Sequence, residues 1–267
     1  MTDFSRIATH YRQSSIVQKS ASNELFELLQ IKASDEVLDL GCGTGHLTQK
    51  IRQLTRGRVV GLDAAPGMIE EARRHYGSLN ISFDVAAADS FDYESLFDVI
   101  FCNSAFQWFK NPEPVLVKCY RALKPQGRMG MQAPAGQVYS PNFVEAIAQV
   151  SSAPSIRDIF AQFNPPWLLL ETAEDYRSLF QTAGFKVSEA RKDRVVSYHS
   201  PEEVYRIFDT GAAAGYLNPA YYPVPLTADY FETFSALVRD AFNQQRGADG
   251  QVELSFFRIY LLAQKPE

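Results

Sequence analysis

Residues 37–45 read Val37-Leu38-Asp39-Leu40-Gly41-Cys42-Gly43-Thr44-Gly45. The end of an apolar strand (36–40) runs into a glycine-rich turn, and helix-compatible residues 44–55 follow. Glycine adopts backbone conformations that other residues resist, and it lets a ligand approach the main chain. The carboxyl end of a first strand is also where open α/β sheets bind ligands. The glycines fall as G-x-G-x-G, whereas the dinucleotide fingerprint that seats a pyrophosphate is G-x-G-x-x-G. No G-x-x-x-x-G-K-[ST] phosphate loop occurs. Taken alone, the loop also reads as a tight strand-to-helix turn with no ligand.

Working outward, residues 58–62, 81–85 and 97–102 read as further buried strands, with helix-like stretches at 66–76 and 112–123. Strand and helix alternating at this spacing predict βαβ units and a parallel sheet. An amphipathic helix precedes the loop within 15–30, and a strand at 126–132 follows a Lys-Pro-Gln-Gly turn. After Pro134 the rhythm breaks. Residues 134–170 are rich in aromatics and prolines, with a helix predicted at 141–150. A helix over 172–183 starts with Thr172 as N-cap and stops at Gly184, and a short strand at 185–189 follows. Residues 199–249 read as helical and aromatic, and 252–264 as a long β-prone run.

Two acids follow the loop in order. Asp63 ends the strand Val59-Val60-Gly61-Leu62, about 20 residues past the glycines, where nucleoside-binding α/β folds place a carboxylate for the ribose hydroxyls. Its alternative reading is the N-cap of the helix entered through Pro66. Asp89, in Ala87-Ala88-Asp89-Ser90-Phe91, could accept from an exocyclic amine such as that of adenine, or could simply be solvated.

The 267 residues are 46% hydrophobic and 21% charged, an ordinary globular composition. The net charge is −5 and no Lys/Arg cluster stands out, so nucleic acid is not an expected partner. Cys42, Cys102 and Cys119 are odd in number, with two in segments read as buried, so a disulfide framework is not expected and a reducing cytosol fits. No C-x-x-C motif of the zinc type occurs, and no metal is expected. The polar amino-terminal segment and the lack of a run of roughly 20 apolar residues predict a soluble, cytoplasmic protein with no membrane partner.

These segments together resemble the class I S-adenosylmethionine-dependent methyltransferases. VLDLGCGTG is similar to their first motif, VVGLDAAPGMIEEAR to their second, AAADSF to their adenine-binding loop, FDVIFCNSAFQWF to their fourth strand and its loop, and ALKPQGRMGM to the motif before the fifth strand. The resemblance covers roughly residues 36–132. It implies a Rossmann-like α/β fold: a mostly parallel seven-stranded sheet with helices on both faces and a helical lid or insertion subdomain. Residues 1–133 would form an N-terminal lid and cofactor-binding core. Residues 134–267 would supply the last strands, with inserted helical substrate or cap regions at about 134–170 and 199–249. By position, Gly41, Cys42, Gly43 and Gly45 would form the loop under the methionine part of the cofactor. Asp39 would organise that loop and orient the methionine amine through water. Asp63 would hold the ribose, Ala64 and Met68 would flank the adenine, Asp89 would meet its amine, and Ala88 and Ser90 would donate backbone groups. Asn103 would line the methionine end.

A narrower likeness concerns the acceptor. Asn103-Ser104-Ala105-Phe106-Gln107-Trp108 resembles a stretch of trans-aconitate and malonyl-carrier-protein methyltransferases, and insect juvenile-hormone-acid methyltransferases have a related loop. The segment Phe4…Ala8-Thr9-His10-Tyr11…Gln18 looks most like the malonyl-carrier-protein enzymes, and 250–260 more like the trans-aconitate enzymes. This implies carboxylate O-methylation of a small molecule, free or carrier-bound.

A carboxylate is already a nucleophile at neutral pH, so such an enzyme works mainly by positioning and water exclusion. No base dyad appears among His10, His46, His75 and His199. His10, beside Tyr11 in the expected lid, is the candidate base for a phenol or amine acceptor, or else a lid-packing residue. Trp108 would wall the acceptor pocket, or pack in the core, and Gln107 would hydrogen-bond the acceptor oxygen. Arg194, Arg206 and Arg258 are candidate carboxylate clamps, or surface charges. The competing readings are an N-, C- or phenol-O-methyltransferase, a nicotinamide oxidoreductase, which the glycine spacing opposes, and a cofactor-binding regulator without catalysis.

Overall fold

A computed structural model describes residues 16–267, with side chains from Ser22 onward. The predicted alternation folds in chain order as α1 (Ile16–Leu29), β1 (Val37–Leu40), α2 (His46–Leu54), β2 (Val59–Asp63), α3 (Pro66–Tyr76), β3 (Ser82–Val85), β4 (Phe97–Asn103), α4 (Pro112–Ala122) and β5 (Leu123–Pro134). The second half continues with α5 (Pro141–Ser152), α6 (Arg157–Phe160), α7 (Ala173–Thr182), β6 (Lys186–His199), α8 (Pro201–Thr210), α9 (Ala213–Tyr216), α10 (Ala228–Gln244) and β7 (Val252–Gln264). The seven strands form one sheet in the order β3-β2-β1-β4-β5-β7-β6. Only β7 runs against its neighbours. The order reverses between β1 and β4, and at such a switch point the two following loops part and leave a crevice.

Alternation along the strands buries both faces. Val37 and Val59 pack with Leu25 and Leu29 of α1, Ile51 of α2 and Ile69 of α3. Leu38 and Leu40 face the other way, toward Leu116 and Cys119 of α4 and Tyr176 and Phe180 of α7. Proline at the first turn of α3, α4, α5 and α8 fixes a helical φ where no hydrogen-bond donor is needed. Thr172 caps α7 as expected, in a reciprocal capping box with Asp175.

The second half adds a feature that decides where the site lies. β7 pairs with β5 only from Arg258 onward, whereas Val252–Phe257 pair with β6 alone. A two-stranded ribbon therefore overhangs the carboxyl ends of the parallel strands. Val252, Leu254 and Phe256 on this ribbon bury against Phe143 of α5, Phe208 of α8 and Phe234 and Phe242 of α10. The helices from both aromatic-rich regions thus share one core above the sheet edge.

Three sequence expectations change. The strand predicted at 185–189 runs instead over Lys186–His199. It is an edge strand, and its Glu189, Arg191, Lys192, Asp193 and Arg194 obscure the apolar pattern while guarding the edge from further pairing. β5 begins at Leu123 and absorbs the Lys-Pro-Gln-Gly turn, with a register irregularity against β4. The helical stretch 199–249 divides into α8, α9 and α10, interrupted by Pro219, Pro223 and Pro225. Among the described residues no helix is long and apolar enough to cross a membrane.

Candidate active site

The crevice between the β1 and β4 loops opens into a cavity roofed by the overhanging ribbon and its helices. Gly41 and Gly43 line it from the loop after β1, Asp63 and Asn103 from the ends of β2 and β4, Met68 from α3, and Ala105, Gln107 and Trp108 from the loop after β4. The opposite wall carries Tyr139, Phe143, Trp167, Ile207, Phe256 and Arg258.

Gly41 and Gly43 hold φ values of +79° and +53°, in the left-handed region that favours glycine. A Cβ at Gly41 would stand 2.3 Å from Cβ of Ala105, so this glycine lets the two loops meet. A Cβ at Gly43 would meet nothing within 4 Å. Gly43 also lines the cavity, which suits a ligand lying against the main chain. Gly45 caps α2 and packs against Phe83, away from the lining residues.

Asp63 organises this loop. The Gly43 N–H donates to Oδ2 at 2.9 Å and the Ala65 N–H to Oδ1 at 2.9 Å. The N-cap of α3 is Ala65, so Asp63 is not the helix cap. Burial pushes its carboxyl up, although the backbone donors of Ala65, Gly43 and Ala64 pull it down. A carboxylate has about four lone-pair sites, so acceptor capacity remains for a diol at the cavity. Asp39 lies behind the loop, buried, and accepts from the Thr48 hydroxyl at 2.6 Å. Burial pushes its carboxyl up to about 7. The Cys42 thiol is buried against the underside of the loop and pushed up by desolvation.

The predicted adenine segment sits differently. Ala64 and Ala88 are half-buried, Asp89 and Ser90 are exposed, and none of the four lines the cavity. The N–H and hydroxyl of Ser90 both donate to the Ala87 carbonyl at 3.0 Å. The expectation that this N–H is open to a ligand is therefore corrected: the turn closes on itself.

Past β4, Ser104 adopts φ +55°, a strained conformation for a residue with a side chain, at the mouth of the cavity. Its N–H donates to the Gln132 carbonyl at 2.8 Å. Trp108 is half-buried beside Trp167, ring centroids 5.8 Å apart, so it belongs to the cavity wall rather than the core. Gln107 is buried on the same wall. Its Nε2 donates to the Ser104 carbonyl at 2.8 Å, and its buried Oε1 has no partner among the described residues. The unpaired atom is an acceptor, and Nε2 keeps a second N–H beyond the one given to Ser104. His10 and Tyr11 lie outside the described residues.

The three candidate clamps separate cleanly. Arg194 is paired at the surface with Glu253 at 3.0 Å, and Arg206 with Glu202 at 3.7 Å. Arg258 is 5% exposed and lines the cavity. Desolvation lowers its guanidinium to about 10. The orientation that satisfies the Gln132 amide turns its oxygen to Nη1 of Arg258 at 3.0 Å and its NH2 to Oδ1 of Asn103 at 3.1 Å. The guanidinium carbon lies 4.9 Å from the Phe256 ring centroid, and Nε has no partner among the described residues. Sequence reasoning missed Gln132. Arg258 carried a signal, a charge within the apolar run of 252–264.

A family model described as a methyltransferase domain matches residues 31–194, more than half of the chain. The trans-aconitate 2-methyltransferase of Methylobacterium nodulans is 25% identical over 91% of this chain and 91% of its own length. The malonyl-[acyl-carrier protein] O-methyltransferase of Acetivibrio thermocellus is 34% identical over 46% of this chain and 45% of its own. The chain thus spans about half the length of the malonyl-carrier-protein relatives it matches. A solved phosphoethanolamine N-methyltransferase of Haemonchus contortus, in complex with S-adenosyl-L-methionine, is 16% identical with a TM-score of 0.53, covering 92% of this chain and 53% of its own. That likeness is one of fold.

Proposed function

The chain belongs to the methyltransferase-domain family, and from that premise we propose that it methylates a carboxylate oxygen of a small-molecule or carrier-bound acid, with S-adenosylmethionine as donor. The observation that carries the acceptor chemistry is Arg258, a buried guanidinium on the cavity wall with no carboxylate partner among the described residues. A buried charge is costly unless it is paired, and a carboxylate acceptor supplies the pair.

The residues around the cavity divide the work. Asp63 receives the ribose hydroxyls, and Gly43 gives the cofactor access to the main chain. Met68 packs beside the adenine, and Asn103 lines the methionine end next to Gln132. Asp39 organises the loop from behind and favours a nearby ammonium when ionised. The donor supplies a methyl group on a sulfonium, whose thioether leaves neutral and needs no acid. Arg258 orients the acceptor oxygen, and the aromatic wall excludes water so that little solvent must be reorganised. No general base is required for an acceptor that is already ionised.

S-adenosylhomocysteine release from the full chain, measured across carboxylic acids, phenols and amines, tests this reading. Turnover with an acid to give a base-labile ester is the expected result. Turnover confined to phenols or amines overturns the carboxylate assignment and leaves the methyltransferase.

A further inference from the structure

The charged side chains on the described cavity wall are only two: Asp63, at the end assigned to the cofactor, and Arg258. Tyr139, Phe143, Trp167, Leu169, Ile207 and Phe256 make most of the acceptor side apolar, with Gln107 and Thr210 among its uncharged polar groups. One buried cation neutralises one carboxylate. Among the described residues a second or third carboxylate would meet no cation on this wall, which is strongly unfavourable.

The second anchor is Gln107 Oε1, buried and without a partner among the described residues. The Ser104 carbonyl, 2.8 Å from Nε2, fixes which end of the amide is which. The orphan atom is therefore an acceptor and calls for a donor on the ligand. Buried polar atoms left unpaired cost free energy, so a ligand that pairs them gains specificity.

Resting on the carboxylate reading above, we infer that the acceptor is a monocarboxylic acid carrying a hydroxyl or amide N–H near the carboxylate and an apolar, aromatic-sized body. Arg258 holds the carboxylate, Gln107 accepts from the neighbouring donor, and the aromatic wall covers the body. The pocket selects against polycarboxylates such as trans-aconitate, even though a relative is named for that substrate.

Three probes test this on the full chain with saturating S-adenosylmethionine: 3-phenyllactate, 3-phenylpropanoate and trans-aconitate. Rates of S-adenosylhomocysteine release, and dissociation constants on the S-adenosylhomocysteine complex, are measured for each. The expected kcat/KM for phenyllactate exceeds that for phenylpropanoate by roughly tenfold, about one hydrogen bond, and trans-aconitate falls below both. In Gln107→Leu the ratio of the first two falls toward one. The comparison in the unaltered protein stands without that variant. Preference for trans-aconitate, or equal use of the two phenyl acids, overturns the inference and leaves the carboxylate reading intact. If no acid turns over or binds while S-adenosylhomocysteine still binds, the carboxylate reading fails and this inference falls with it.

Discussion

Nη1 of Arg258 stands 3.0 Å from the side-chain oxygen of Gln132, whose amide reaches Asn103 at 3.1 Å. One glutamine on β5 thus joins the buried cation on β7 to the end of β4, where the cofactor is proposed to lie. The distance between the two halves of the site is set by three adjacent strands of one sheet, a rigid support for a reaction that depends on positioning.

Arg258→Met separates function from stability. Losing one partner of a buried charge pair in a complex costs about 2–5 kcal/mol, so kcat/KM with an acid acceptor should fall by at least about 30-fold. In the free protein the same change removes a buried charge with no carboxylate partner among the described residues, so the melting temperature should hold or rise. Steady-state kinetics and calorimetry check this together. A lower melting temperature would make Arg258 a structural residue instead.

Asp39 predicts a pH dependence. Its carboxyl titrates near 3.8 when unperturbed and at about 7 in the fold. Between those values the folded chain keeps a proton that the unfolded chain has lost, so stability falls as pH rises through this window and levels off above about 7. Asp39→Asn should remove that slope while its amide oxygen still accepts from Thr48. Melting curves across the window should then converge at the acid end, with the variant the more stable above about pH 7. S-adenosylhomocysteine binding, which brings an ammonium near, should tighten with rising pH in the native chain and lose that trend in the variant.

Two glycines of one loop should respond differently. In Gly41→Ala the new methyl would stand 2.3 Å from Cβ of Ala105, so the loops must separate, at a cost of about 1–3 kcal/mol beyond the backbone strain. In Gly43→Ala the methyl meets open space, leaving only backbone strain of about 1–2 kcal/mol. The prediction is that Gly43→Ala loses more cofactor affinity per degree of melting temperature than Gly41→Ala. Calorimetry of S-adenosylhomocysteine binding beside thermal melts decides it, and equal ratios would remove Gly43 from the cofactor seat.

Trp108→Ala tests the cavity wall. Because Trp108 is half-buried beside Trp167, its loss should leave the fold in place and lower acceptor kcat/KM by roughly tenfold or more, through lost contact and admitted water. Cofactor affinity should change far less. Unchanged turnover would end the role assigned to this side chain.

The strand-turn-helix at Val37–Gly45, the acid at Asp63 and the alternation through residue 132 were legible in the chain because they are local. Period and glycine spacing encode a parallel sheet and a ligand loop without reference to distant residues. The acceptor side was not legible in the same way. Arg194, Arg206 and Arg258 are chemically equal in a sequence, and only the folded chain buries Arg258 on β7 while leaving Arg194 on β6 and Arg206 on α8 at the surface. Gln107 was visible as polar, but which of its atoms is left without a partner among the described residues depended on the Ser104 carbonyl 2.8 Å from Nε2. The sequence by itself determined the α/β class and the loop that would cradle a cofactor. The tertiary structure decided which cation lines the cavity and what surrounds it, because burial and pairing are properties of neighbours that meet only when the chain has folded.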